Sequence, residues 1–228
     1  MEDVFLDSIP FKPDFESLTR RLHLKSGSPH LEDFSILFNE MAEIARPKAF
    51  YKVSFIDESE ADSIVINGVR FHSRVLCVNL ADVHRVFAYV TTCGREIADK
   101  RAGETDILSQ FWADAVMESA LQVAMAAMME DMNSRYQLAK TSAMNPGSLP
   151  DWPITQQRAF FDLLGSSADR TGVRLLDSML MTPSKSTTGI IFETESNFVN
   201  CQLCPRRTCP NRRAGYNPEL FDTKYRQP

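Results

Sequence analysis

The sequence predicts a single α+β domain with helices packed on an antiparallel sheet. Apolar residues recur at helical spacing near the start and at the centre of the chain, and short strand-like runs lie on both sides of the central helix. No linker composition, internal repeat or low-complexity tract divides the chain. The order of helix, strands, helix, loop and strands therefore spells α+β rather than alternating β–α units.

Taken in order, Asp14 to Leu22 is a short helix with Phe15, Leu18 and Leu22 on one side. Ser28 and Pro29 form an N-cap and first-turn pair, and Leu31, Phe34, Leu37, Phe38, Met41 and Ile44 then mark a helix that Pro47 stops. The period changes next: Tyr51, Val53 and Phe55 alternate with polar neighbours, and Ile64-Val65-Ile66 runs into Asn67-Gly68, a strong hairpin signal. Val69 to Phe71, Val75 to Val78 and Val86 to Thr91 are read as further strands. Thr105 to about Leu138 is a long helix, and a helix also follows Gly94. The remainder is a Pro/Gly loop from Asn145 to Pro150, a helix from Ile154 to Leu164, and strands near Leu175 to Met181 and Thr188 to Phe192.

Composition limits the function classes. At 228 residues and 43% hydrophobic content the chain can bury a sizeable core. No apolar run reaches the roughly 18 residues of a membrane span, and MEDVFLDSIPFKPDF lacks the basic start and apolar stretch of a signal peptide. The expectation is a cytoplasmic protein that does not enter a membrane. A net charge of −5 argues against nucleic acid as a partner. The charge is uneven: from Cys201 onward six Lys/Arg face only Glu219 and Asp222, so this tail carries +4 and the first 200 residues −9. The chain thus divides into a body, 1–200, and a Cys/Arg-rich tail, 201–228.

Three groups of residues stand out. On the long helix Asp114, Glu118 and Gln122 are spaced i, i+4, i+8, a single polar line on an otherwise apolar cylinder. Such a line meets either a solvent strip or a polar cavity, because an unpaired buried carboxylate is too costly to keep. The second group is the stiff loop Asn145-Pro146-Gly147-Ser148-Leu149-Pro150, which either presents backbone groups to a ligand or covers the core with Trp152 as a plug. The third is Cys201-Gln-Leu-Cys204 with Cys209, prolines after Cys204 and Cys209, and four arginines nearby. This spacing suits a shared metal, either zinc or a 4Fe–4S cluster, and equally a redox-active or reduced thiol cluster. Five cysteines without signs of export do not suggest a disulfide framework. Cys93, at a strand-to-helix turn, is placed where a helix N-terminus could lower its pKa. There is no G-x-G-x-x-G, phosphate loop, G-x-S-x-G or H-E-x-x-H, and the four histidines lack metal-ligand spacing.

Taken together these segments resemble the reactivation (activation) domain of cobalamin-dependent methionine synthase and short free-standing proteins like it. The likeness rests on Arg46-Pro47-Lys48-Ala49, Thr91-Thr92-Cys93-Gly94-Arg95-Glu96, the Asp114-Ala-Val-Met-Glu118 helix and the Pro146-Gly147 loop. It is densest from Gly172 through Ser178, Met181, Pro183 and Ser186 to Gly189-Ile190, close to the family's L-T-E-S-x-x-M-x-P-x-x-S-V-S-G. The resemblance implies a twisted antiparallel sheet packed with helices. It also implies a domain that presents S-adenosylmethionine to a cobalamin on a neighbouring module, where an electron and the donor's methyl group restore methylcobalamin. Glu118 falls on a helix carboxylate that contacts adenosylmethionine in the family. The family loop R-x-x-x-G-Y-P is represented here by Ala143, Gly147, Ser148 and Leu149, so only its glycine is kept and binding is expected to be weaker.

The resulting expectation is an accessory domain for a cobalamin-dependent methyltransferase system. It would assist reductive reactivation or methylation of a corrinoid on a partner protein, with an electron donor as a further partner. Asp114, Glu118, Asn145, Pro146, Gly147 and Ser148 would line the cofactor site, and Cys201, Cys204 and Cys209 would hold a metal. The alternative is a non-catalytic binding or assembly module that kept the scaffold and lost adenosylmethionine.

Overall fold

The computed structural model describes residues 3–196, 198–209 and 211–226. Two helices begin as their caps require. The Asp14 carboxylate accepts the Ser17 N–H to start α1 (Phe15–Arg21), and the Ser28 hydroxyl accepts the Leu31 N–H to start α2 (Pro29–Ile44). The chain then enters β2 (Lys48–Ser59), having opened with β1 (Asp3–Leu6). The strands β3 (Ser63–Ile66) and β4 (Val69–His72) form the expected hairpin. Asn67 and Gly68 both take positive φ, 45° and 77°, the geometry that made this pair a turn signal.

The main sheet runs β4-β3-β2-β5-β9-β6 and every pairing is antiparallel, where β5 is Arg85–Thr92, β6 is Thr141–Met144 and β9 is Ser186–Glu193. One edge of β2 serves two partners: β1 takes residues 49–52, and β3 takes residues 56–59 across a register shift between Ile56 and Glu58. Asp57 in that shift accepts the Gly68 N–H at 2.7 Å, which ties the hairpin turn back to the bulged strand.

Both faces of the sheet are covered, and β5 is buried over most of its length as a result. Tyr51, Phe87, Tyr89 and Ile191 point to one face, where Met128 and Met132 of the long helix α5 (Ile107–Tyr136) pack on them. Phe50, Val86, Ala88, Val90 and Ile190 point to the other, against α3 (Arg74–Asn79), α6 (Gln157–Leu164) and Trp152. The first half of α5 leaves the sheet and packs with α1, α2 and α4 (Arg95–Gly103) around Phe34, Trp112 and Val116. The tail is not loose: Leu203 and Tyr225 are buried in the second-face core, and the Tyr225 hydroxyl donates to Asn79.

Four segments differ from the sequence expectation. Val75 to Val78 is helical, not a strand. The Ser73 hydroxyl accepts the Leu76 N–H and the Asp151 carboxylate accepts the Val75 N–H, each at 2.9 Å, so two orphan donors of a helix start are satisfied. A four-residue apolar run fits either period, and here the cap decides. The expected strand at Leu175 to Met181 is a small hairpin, β7 (Arg174–Leu175) against β8 (Met181–Thr182), turning at Met179 with φ 64°. The strands β1 and β6 were not expected. Thr-Ser-Ala-Met has little strand propensity, and its pairing with β9 places it in the sheet. Among the described residues no helix is long and apolar enough to cross a membrane.

Candidate functional site

The long helix α5 packs chiefly on β2 and β5, and a space opens between it and the β9–β6 side of the sheet. The space left there is a cleft of about 710 Å³, within the usual size of a small-molecule site. α5 contributes Glu118, Leu121, Gln122, Met125 and Met129; the sheet side contributes Tyr89, Ala143, Asn145, Thr187 and Ile191; the segment after β9 contributes Phe198 and Val199; and the tail contributes Asn211, Arg212 and Arg213.

The polar line on α5 has three different surroundings. Asp114 forms a two-pronged ion pair with Arg101 of α4, Nε and Nη2 each donating at 3.2 Å, and it is not among the cleft residues. One turn on, Glu118 enters the cleft and pairs at 3.4 Å with Lys185 from the turn before β9. Gln122 continues the line into the same cleft. The alternation between solvent strip and polar cavity is thus resolved along the helix itself: its first carboxylate serves helix packing and its second faces a cavity.

Asn145 leaves the end of β6 and lays its side chain across β9. Its Nδ2 donates to the Tyr89 hydroxyl at 2.7 Å and to the Thr188 carbonyl at 2.6 Å. A glycine is required below it: a Cβ on Gly189 would overlap Asn145 Nδ2 and the Met144 carbonyl oxygen. Burial pushes the Tyr89 hydroxyl above its ordinary value, against the opposing pull of Asn145, Thr187 and the Arg213 charge, so it stays a neutral polar group on the cleft wall.

The rest of the loop faces elsewhere. Pro146, Gly147 and Ser148 are not among the cleft residues. The Gly147 N–H donates to the Trp152 carbonyl at 2.7 Å, and the Ser148 N–H donates to the Asn145 carbonyl at 3.1 Å. Trp152 is 1% exposed and meets Phe71 and Phe160 edge-on, as expected of a core plug.

Among the described residues no group of three or more His, Cys, Asp or Glu side chains is placed to hold a metal ion. Cys201 lies in a 3₁₀ turn, Asn200–Gln202, and its Sγ accepts the Arg213 N–H at 3.4 Å. What organises the loop is Arg212: its guanidinium donates to the carbonyls of Cys201 at 3.0 Å, Cys204 at 3.1 Å, Ala214 at 3.1 Å and also Arg206. The tail is gathered around a cation by backbone oxygens. Pro210, one of the two flanking prolines, lies outside the described residues. Burial opposes ionisation of Cys201, yet N–H groups of Arg213 and Ala214 and the charges of Arg213 and Arg212 outweigh it and draw the thiol below its ordinary value.

Cys93 moves the other way from the sequence expectation. It is fully buried, and burial pushes its thiol up to about 12, with Thr92 and Lys185 only partly opposing. Sequence reasoning also missed Tyr89, Lys185 and Arg213 as neighbours of the site. The only signal was the excess of tail arginines, which does not say which arginine faces a cavity.

Fold and cleft together define an α+β domain with an open, amphipathic cleft at its sheet edge. Among solved structures, this chain has the fold of the MetH reactivation domain bound to AdoHcy: the TM-score is 0.57 at 14% identity, over 87% of this chain and 80% of that one. No family model matches the chain, and no curated protein matches it by sequence.

Proposed function

We propose that this chain is an accessory domain of a cobalamin-dependent methyl-transfer system. It binds an adenosyl amino acid in the sheet-edge cleft and presents it to a corrinoid carried by a partner protein, assisting reactivation or methylation. The observation that carries this reading is a ligand-sized cleft bearing Glu118 and Asn145 in the fold of a domain whose solved structure holds AdoHcy. Cofactor and methyl donor supply the reactivity in such a system, and the protein's work is binding and orientation.

In this reading Glu118 and Asn145 contact the ligand. Asp114 acts one turn away, holding α4 against α5 through Arg101. Pro146, Gly147 and Ser148 set the direction in which Asn145 leaves β6. Cys201, Cys204 and Cys209 enter as thiols, not as metal ligands. The test is calorimetry of the full chain with adenosylhomocysteine and adenosylmethionine. Binding to both is expected, weakened by about 10- to 100-fold in Glu118→Gln, the effect of losing a charge-assisted contact. No heat and no thermal shift with either nucleoside would overturn it.

One observation favours a second reading, a binding or assembly module without adenosylmethionine. Ala143 and Ser148 stand where the family motif has Arg and Tyr; Ala143 brings no charge to the cleft, and Ser148 is not among the cleft residues. Co-sedimentation with a corrinoid protein in the absence of any nucleoside response would support that reading instead.

A further inference from the structure

Three charged side chains line the cleft: Glu118, Arg212 and Arg213. Two have partners. Glu118 is paired with Lys185, and Arg212 is enclosed by backbone carbonyls of its own loop. Arg213 makes no side-chain hydrogen bond or ion pair with any of the described residues, although its main chain is fixed by its N–H bond to Cys201 Sγ and by the neighbouring Arg212. The chain therefore delivers an uncommitted guanidinium to the cleft on an anchored backbone. With Glu118 already neutralised, the cleft carries excess positive charge, which suits an anion.

The remaining surface narrows the ligand. Leu121, Met125 and Ile191 give an apolar stretch for a flat or aliphatic body, and Asn145 and Tyr89 give polar groups on the sheet side. Guanidinium forks match carboxylates in two-point geometry, and a single unpaired cation in a mainly apolar cleft selects a single carboxylate over a polyphosphate.

We propose that Arg213 is the carboxylate-recognising residue of this cleft, holding the amino-acid end of an adenosylmethionine-class ligand from the tail side. This rests on the reading of the cleft as an adenosyl amino-acid site and adds to it a specificity-determining residue from the tail. The tail thereby becomes part of the binding site.

The experiment compares two ligands that differ only in the carboxylate, adenosylmethionine and decarboxylated adenosylmethionine, by calorimetry on the full chain and on Arg213→Gln and Arg213→Lys. Arg213 is exposed, and thermal unfolding of each variant checks that the fold is retained. The proposal expects Arg213→Gln to weaken adenosylmethionine by about 10- to 100-fold, to leave the decarboxylated ligand unchanged, and to be partly rescued by Arg213→Lys. Equal losses for both ligands, or no loss for either, would overturn Arg213 as the carboxylate partner while leaving the cleft reading intact. Failure of the native chain to bind either ligand would overturn both.

Discussion

Gly189 lies directly beneath the Asn145 side chain, and the absence of a Cβ there is what lets the Asn145 amide cross β9 to reach the Tyr89 hydroxyl at 2.7 Å. The contact joins the end of β6 to the central strand β5 across the strand between them. It also fixes one polar corner of the cleft, since Asn145 and Tyr89 both line it. Gly189→Ala is expected to destabilise the fold by about 1–3 kcal/mol, because the new methyl meets a backbone carbonyl as well as a movable amide. Urea denaturation measures this. An unchanged midpoint would show that Asn145 can leave β9 without cost.

The polar line on α5 makes a second prediction. Asp114 and Glu118 are one turn apart, but only Glu118 lines the cleft. Asp114→Asn should cost at most about 1 kcal/mol, as the Arg101 pair is half-exposed, and should leave nucleoside affinity unchanged. Glu118→Gln should do the reverse, weakening binding while hardly moving the unfolding midpoint. Loss of affinity in both variants would mean that the whole line faces the ligand.

How far the sequence led can be judged from these same residues. The cap Ser28, the Asn67-Gly68 turn and the alternation in β2 were legible because each depends on neighbours in the chain. The carboxylate line was legible as a line, but its division was not: Arg101, which takes Asp114, comes from another helix. The strand expected at Val75 failed for a similar reason, since the cap that makes it a helix draws on Asp151, far along the chain. The cysteine spacing described a ligand set well enough by pattern alone. It could not reveal that Arg212 would collect the surrounding carbonyls and leave Cys201 bonded to an N–H.

Buried acids set the alkaline limit. Burial pushes the thiols of Cys77 and Cys93 up to about 11 and about 12 and the Tyr225 hydroxyl up to about 12; it also raises Tyr51, whose hydroxyl donates to Asp131 at 2.5 Å. The folded state thus holds these protons more tightly than the unfolded chain, where such groups titrate from 9.0 for Cys and 10.0 for Tyr. Their stabilising contribution is fully present below about pH 9 and is lost as pH rises through 11 to 12. The urea midpoint should therefore fall above pH 9. In Tyr51→Phe the part of the fall above pH 10 should be shallower. A midpoint that is flat to pH 11 would contradict the burial of these groups.

The last prediction concerns the tail thiol. Cys201 receives the Arg213 N–H and sits near the charges of Arg213 and Arg212, which draw its pKa below the ordinary thiol value, whereas Cys77 and Cys93 are buried and shifted upward. The thiolate is the reacting form, so iodoacetamide at pH 7 should modify Cys201 first and leave Cys77 and Cys93 untouched until the protein unfolds. Peptide mass spectrometry over time gives the order directly. Arg213→Gln keeps the N–H but removes one positive charge, so the Cys201 rate at pH 7 should fall and its midpoint of reactivity should move to higher pH. Cys204 or Cys209 reacting ahead of Cys201 in the native chain would show that the Arg213 N–H and the two arginine charges do not govern this loop.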